Sequence, residues 1–182
     1  MKKVLIFLFP LLLSVNACKN PHETRIQEIE TLMFALDSAK TVLHNMDTGM
    51  VIRRYRSCNE NLQRISALAD TVGRDDVFLI DEYARYQKAY RKALEKIGPF
   101  FEEIEVLPMQ LENLKKDLSK NLIDEKQATS FLKNESHAAI TLSQVIFQMS
   151  NGLQSIDADF IVCEEKILHL IERLEALKTR KS

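Results

Sequence analysis

The sequence predicts an all-α protein, an elongated antiparallel up-down-up bundle of three coiled-coil-like helices. Three observations lead there. Only four Gly and four Pro occur in 182 residues, so chain reversals are few and the elements between them must be long. Apolar residues recur at alternating spacings of three and four through most of the chain, the period of one helix face. The apolar runs meet at a few strong stop and start signals rather than in long loops. With 46% apolar and 28% charged residues the composition is globular, which excludes disordered, collagen-like and low-complexity classes. The length suits one domain or two small ones. A formal net charge of −1 argues against nucleic acid as a partner, since such binders carry a clear basic excess.

The N-terminus reads as an address. Lys2 and Lys3 precede an apolar run from Val4 to Leu13, and Ser14 to Ala17 lead into Cys18. This run is about half the ~20 residues that span a bilayer, so residues 1–17 are expected to be a cleaved signal peptide. The stretch Val15-Asn16-Ala17-Cys18 resembles the lipobox of bacterial lipoproteins, with Asn16 where Ser, Thr or Ala is usual. The resemblance covers the first 18 residues. It implies cleavage before Cys18, acylation of that residue, and a location in the bacterial cell envelope. Lys19 stands where inner-membrane retention usually has Asp, so the resemblance implies the outer membrane. Two or three acyl chains anchor a protein stably where one is marginal. Residues 18–23 form the expected lipidated tether, 24–178 the helical domain and 179–182 a tail. A tether of about five residues reaches less than roughly 18 Å, which holds the folded body close to the bilayer. Loss of Lys2 and Lys3 with the signal lowers the net charge of the mature chain to about −3.

The first leg of the bundle has one apolar seam at Ile29, Leu32, Leu36, Ala39, Leu43 and Met46. A second seam, slipped by one residue, runs through Val51, Tyr55, Cys58, Leu62, Ile65, Ala69 and Val72. The slip falls at Asp47-Thr48-Gly49. Gly73 is the expected end of this leg, with Asp75 or Asp76 capping the next. The second leg, about 76 to 120, carries an unbroken series from Tyr83 through Tyr86, Tyr90, Ala93, Ile97, Phe100, Ile104, Leu107, Leu111 and Leu114 to Leu118. Its phase survives Gly98-Pro99 and Pro108, so one kinked helix explains it better than two. Asn121 reads as its stop. Asp124 and Gln127 resemble a capping box that opens the third leg, about 124 to 178 and on the order of 80 Å long. There Leu132, Ala139, Ile146, Leu153, Phe160, Ile167 and Leu174 recur every seven residues. Cys163 falls in the companion series three places on. Short connections between long helices predict antiparallel neighbours. The rival is a four-helix version split at Gly49 or Gly152.

Counting residues from the turns near 73 and 122 places Gly49, Gly98 and Gly152 within about two helical turns of one level. Each Gly costs a helix interior roughly 1 kcal/mol, so the bundle is expected to bend, or to open as a hinge, at that level.

Candidate chemistry is sparse. No phosphate loop, zinc-protease helix, nucleophile elbow or Cys-x-x-Cys pair is present, and no enzymatic activity and no cofactor are expected. Glu165, His169 and Glu172 can share a helix face, but the Glu-x-x-His pairs of a di-iron bundle are missing, so no metal site is expected. Cys58 and Cys163 are seam residues and a candidate disulfide in an oxidising compartment. The same turn counting sets them about 10 Å apart in height, beyond the ~7 Å between Cα atoms that a bridge tolerates, unless helix kinks change the count. Arg53, Arg54, Arg56, Arg85, Lys88, Arg91 and Lys92 fall at similar heights among all four tyrosines. They form a candidate binding surface, with Asp157, Asp159, Glu164 and Glu165 at a height to neutralise them.

The functional expectation is a membrane-anchored envelope lipoprotein serving as a non-catalytic interaction or structural module. Its partners would be the membrane, through the lipid, and another envelope protein recognised by an exposed helix face. The alternative is a ligand- or cargo-binding bundle that opens at the shared Gly level.

Overall fold

A computed structural model describes residues 21–181, and among them there is no strand. Four helices follow in order: α1 (Glu23–His44), α2 (Thr48–Ser66), α3 (Val77–Ser119) and α4 (Glu125–Lys181). The signal 1–17 and the first half of the tether, Cys18 included, lie outside the described residues. The expected tail differs from the structure, because α4 continues helically through residues 179–181.

The first leg is two helices, which is the rival arrangement. The chain leaves helical geometry at Asn45 to Asp47, where the seam slips by one residue. Asp47 then opens α2 by accepting the Met50 N–H at 2.7 Å, one of the orphan donors of a helix start. A single helix would turn Val51, Cys58 and Ile65 off the face that Ile29, Leu36 and Leu43 bury. The break restores them, and all six are buried. The leg also ends sooner than its periodicity suggests. α2 stops at Ser66, Leu68 is buried in place of the exposed Ala69, and two short 3-10 turns lead to α3. The Asp76 carboxylate accepts the Gly73 N–H at 3.0 Å in this connection.

α3 is continuous through Gly98-Pro99 and Pro108. Each proline removes one helical hydrogen bond, yet Ile97, Ile104, Leu107, Leu111 and Leu118 stay in phase and buried. α3 ends in a left-handed Asn121, φ 52°. The Leu122 N–H bonds the Asp117 carbonyl at 2.9 Å and the Asn121 N–H the Leu118 carbonyl at 3.2 Å, the paired bonds of a Schellman stop. The next start is a reciprocal capping box: Asp124 accepts the Gln127 N–H at 2.8 Å and Gln127 accepts the Asp124 N–H at 3.2 Å. α4 is unbroken at Gly152.

Side-chain pairs between helices report which segments lie side by side. Along α1 and α2 the partners on α4 rise together, from Arg25 with Glu125 through Arg54 with Asp157 to Arg64 with Glu175. Partners on α3 run the opposite way, with Lys115 on Glu30, Lys40 on Glu105 and Gln87 on Asn59. α1 and α2 therefore lie along α4, end after end, and α3 runs against them.

The buried residues form two cores. One joins α1 to Ile104–Leu118 of α3 and Ala128–Ile146 of α4. The other joins α2 to Tyr83–Ala93 of α3 and Leu153–Leu174 of α4. Met46 and Met149 pack against both. The flexible thioether suits a junction where two packings meet.

Candidate functional site

The densest polar construction lies in the α2 half. Arg54 of α2 reaches α4, with Nε 3.0 Å from the Asp157 carboxylate and Nη1 3.6 Å from Glu164. Its guanidinium stands 4.9 Å from the centre of the Phe160 ring, a cation-π contact. Phe160 is fully buried, and Tyr90, Tyr83 and Tyr86 of α3 pack on it at 5.4, 5.7 and 5.8 Å between ring centroids. Glu164 also accepts from the Ser57 hydroxyl and, at 3.3 Å, from the Tyr83 hydroxyl, which itself accepts from Asn61 Nδ2 at 3.0 Å. The Tyr90 hydroxyl, equally buried, has no hydrogen-bond partner among the described residues. This network ties α2, α3 and α4 together. Its carboxylates are occupied by fixed donors, so the arrangement is suited to holding three helices in register.

Cys58 and Cys163 are buried free thiols in the same core. Their sequence neighbours Ser57 and Glu164 are hydrogen-bonded, so the two cysteines lie at one height and the expected 10 Å offset is corrected. That offset assumed helix up to Val72. With α2 ending at Ser66, Cys58 is eight residues from the end of its helix. Burial is the largest cause pushing the Cys58 thiol from its ordinary 9.0 to about 12 and Cys163 to about 11. Such thiols are protonated and poorly nucleophilic. Burial also pushes Tyr83 and Tyr90 upward.

The seven basic residues do not act as one set. Arg54 is part of the packing. Arg53 pairs with Asp47 at 3.5 Å and Arg91 with Glu95 of its own helix at 2.9 Å. Arg56, Arg85, Lys88 and Lys92 are exposed, on α2 and α3. His169 meets Glu172 at 3.6 Å, both side chains 73% exposed. Among the described residues no three His, Cys, Asp or Glu side chains form a group able to hold a metal. No described helix is long and apolar enough to cross a membrane.

Two grooves flank α4 where the cores meet. One, about 340 Å³, lies against α3 and is lined by Ala89, Lys92, Ala93, Lys96, Val145, Gln148, Met149, Gly152, Leu153 and Ile156. The other, about 490 Å³, faces the α1–α2 break, between Met46, Asp47 and Met50 on one side and Phe147, Ser150 and Leu153 on the other. Both contain Leu153, so the break before Gly49 and Gly152 share a level, with Gly98 beyond Lys96 on α3.

One feature of α4 escaped the sequence reading. Ile140, Phe147, Ile161 and Leu168 are exposed large apolar residues, seven apart except for Gln154 between the middle two. They follow the buried series Ala139, Ile146, Phe160 and Ile167 by one position. A second seven-residue series beside the first was the available signal. Comparison with protein-family models, curated proteins and solved structures gives no match for this chain.

Proposed function

We propose that this chain is a bacterial envelope lipoprotein, anchored in the outer membrane through acylated Cys18, whose helical body is a non-catalytic protein-interaction module. In this reading the body is an up-down-up bundle with a divided first leg, bent at the level of Gly49, Gly98 and Gly152. The observation that carries the interaction role is the exposed series Ile140, Phe147, Ile161 and Leu168 on α4. Apolar residues at helical spacing on an open face are the usual anchor pattern for a helical partner. Scattered exposed apolar residues need no explanation, but a repeating row along one long helix favours recognition. The anchor and short tether support the choice of another envelope protein as partner.

The experiment is an affinity pull-down from intact envelopes. It compares the natural chain with Cys18→Ala and with the fourfold variant Ile140→Ser, Phe147→Ser, Ile161→Ser, Leu168→Ser. The natural chain should enrich a defined envelope protein, and the fourfold variant should lose it while keeping its helical circular dichroism. Cys18→Ala should leave the membrane fraction. Undiminished enrichment by the fourfold variant would remove the assigned face, and no enriched protein would remove the interaction role.

A further inference from the structure

Gly152 is the starting point. It sits inside a 57-residue helix, where Gly costs roughly 1 kcal/mol relative to Ala. Close packing usually explains such a residue, but a Cβ built on Gly152 meets nothing within 4 Å. The missing side chain instead leaves open the groove between α3 and α4. Ala93 and Leu153 form its buried part, and Val145, Met149 and Ile156 are its half-buried apolar lining. Lys92 and Lys96 of α3, four residues apart and therefore on one face, stand at its rim with Gln148. Neither lysine has an ion-pair partner among the described residues, and no carboxylate lines the groove. By contrast Lys40, Arg54, Arg64 and Lys115 are each matched to an acid on a neighbouring helix.

We infer that this groove binds a single-chain anionic amphiphile, a straight acyl chain ending in a carboxylate. The chain lies along Val145, Met149, Gly152 and Ile156, and the carboxylate is held by Lys92 and Lys96. The charge balance selects an anionic head. A volume of about 340 Å³ is at the small end for ligand sites, which selects one acyl chain over a two-chain lipid. Methionine at the junction of the two cores lets the wall adjust to chain length. The site is independent of the proposed protein-binding row, which lies on a different side of α4.

The test is calorimetric titration of the purified full-length protein with sodium laurate below its micelle concentration, and with dodecanol as the uncharged chain of equal length. Saturable binding of one laurate is expected, with dodecanol weaker by about tenfold or more, the range of a charge-assisted hydrogen bond. Gly152→Leu starts from a Cβ that meets nothing within 4 Å, extends its side chain into the groove and should abolish laurate binding at unchanged or raised thermal stability. Lys92→Glu with Lys96→Glu, on the exposed rim, should weaken laurate about tenfold or more and leave dodecanol unchanged. Equal affinity for dodecanol, no saturable binding, or full binding by Gly152→Leu would each overturn the assignment.

Discussion

Around Ile104 the α1 half is filled with Ile, Leu and Ala, and the polar side chains buried on its helices are His22 at one end and the small Ser143 between Leu142 and Ile146. Around Phe160 the α2 half buries two tyrosines and two cysteines, and an arginine lies on the Phe160 ring. Both halves use the same helical period, so the difference lies in what fills the space. Aliphatic packing has no directional requirement, and volume-conserving swaps such as Leu for Met cost it little. A hydrogen-bonded aromatic core has directional requirements, and each unpaired buried polar atom costs about 1–3 kcal/mol. The α2 half should therefore be the more particular of the two and the more sensitive to its surroundings.

The largest test of that contrast is Phe160→Ala. It removes the ring on which three tyrosines and Arg54 pack, and should cost about 3–5 kcal/mol. Hydrogen exchange should then quicken in α2, Tyr83–Ala93 and Leu153–Leu174 while α1 and its partners stay protected. Equal quickening throughout would make the two cores one cooperative unit and end the distinction.

Alkaline pH should separate the halves next. The raised Cys58 and Cys163 values mean that, with both thiols reduced, the unfolded chain gives up protons above about 9 while the folded chain holds them until about 12 and about 11. The unfolded state then binds fewer protons, so stability falls as pH rises through that window. At pH 10 the loss should be roughly 1 kcal/mol for each thiol. The raised tyrosines extend it at higher pH. Urea unfolding at pH 7 and pH 10 measures the sum. Cys58→Ala with Cys163→Ala should flatten the slope, and an unchanged slope would locate the alkaline sensitivity elsewhere.

The two buried tyrosines sharpen the point. Tyr83→Phe takes a partner from Asn61 and from Glu164, and should destabilise by about 1–3 kcal/mol. Tyr90→Phe removes a hydroxyl with no hydrogen-bond partner among the described residues, and should be neutral or stabilising by about 1 kcal/mol. Thermal unfolding of the pair decides this, and equal losses would mean that the hydroxyl network is not what distinguishes this half.

The smallest effects belong to the junction. Gly152→Ala should stabilise by about 1 kcal/mol, because its Cβ enters open space. Gly98→Ala should gain less although nothing lies within 4 Å there either, since a Cβ on the residue before Pro99 disfavours helical geometry. Gly49→Ala brings a Cβ to 3.2 Å from Asp47 Oδ1 and Arg53 Nη1, the acid that caps α2 and its ion-pair partner, and should gain least. Melting temperatures of the three variants give the order.

Much was legible in the sequence because it is local. The Asp124–Gln127 box, the Asn121 stop and the seven-residue burial from Leu132 to Leu174 are dictated by residues within one or two turns of each other. The seam slip at Asp47 was equally visible, and a one-residue slip turns a helix face by about 100°, enough to force a break. The early end of α2 was not legible, because Ala69 and Val72 continue the period, whereas in the structure Ala69 is exposed and Val72 packs half-buried against the core from the connection beyond the helix. That early end also brought Cys58 level with Cys163. Arg54 could not be told from its exposed neighbours Arg53 and Arg56, since its role depends on Asp157, Glu164 and Phe160, about a hundred residues away. Local pattern determined helices, caps and which faces are apolar. The tertiary structure decided which charges are matched and which, like Lys92 and Lys96, are left facing an open groove, because pairing across helices depends on register rather than on period.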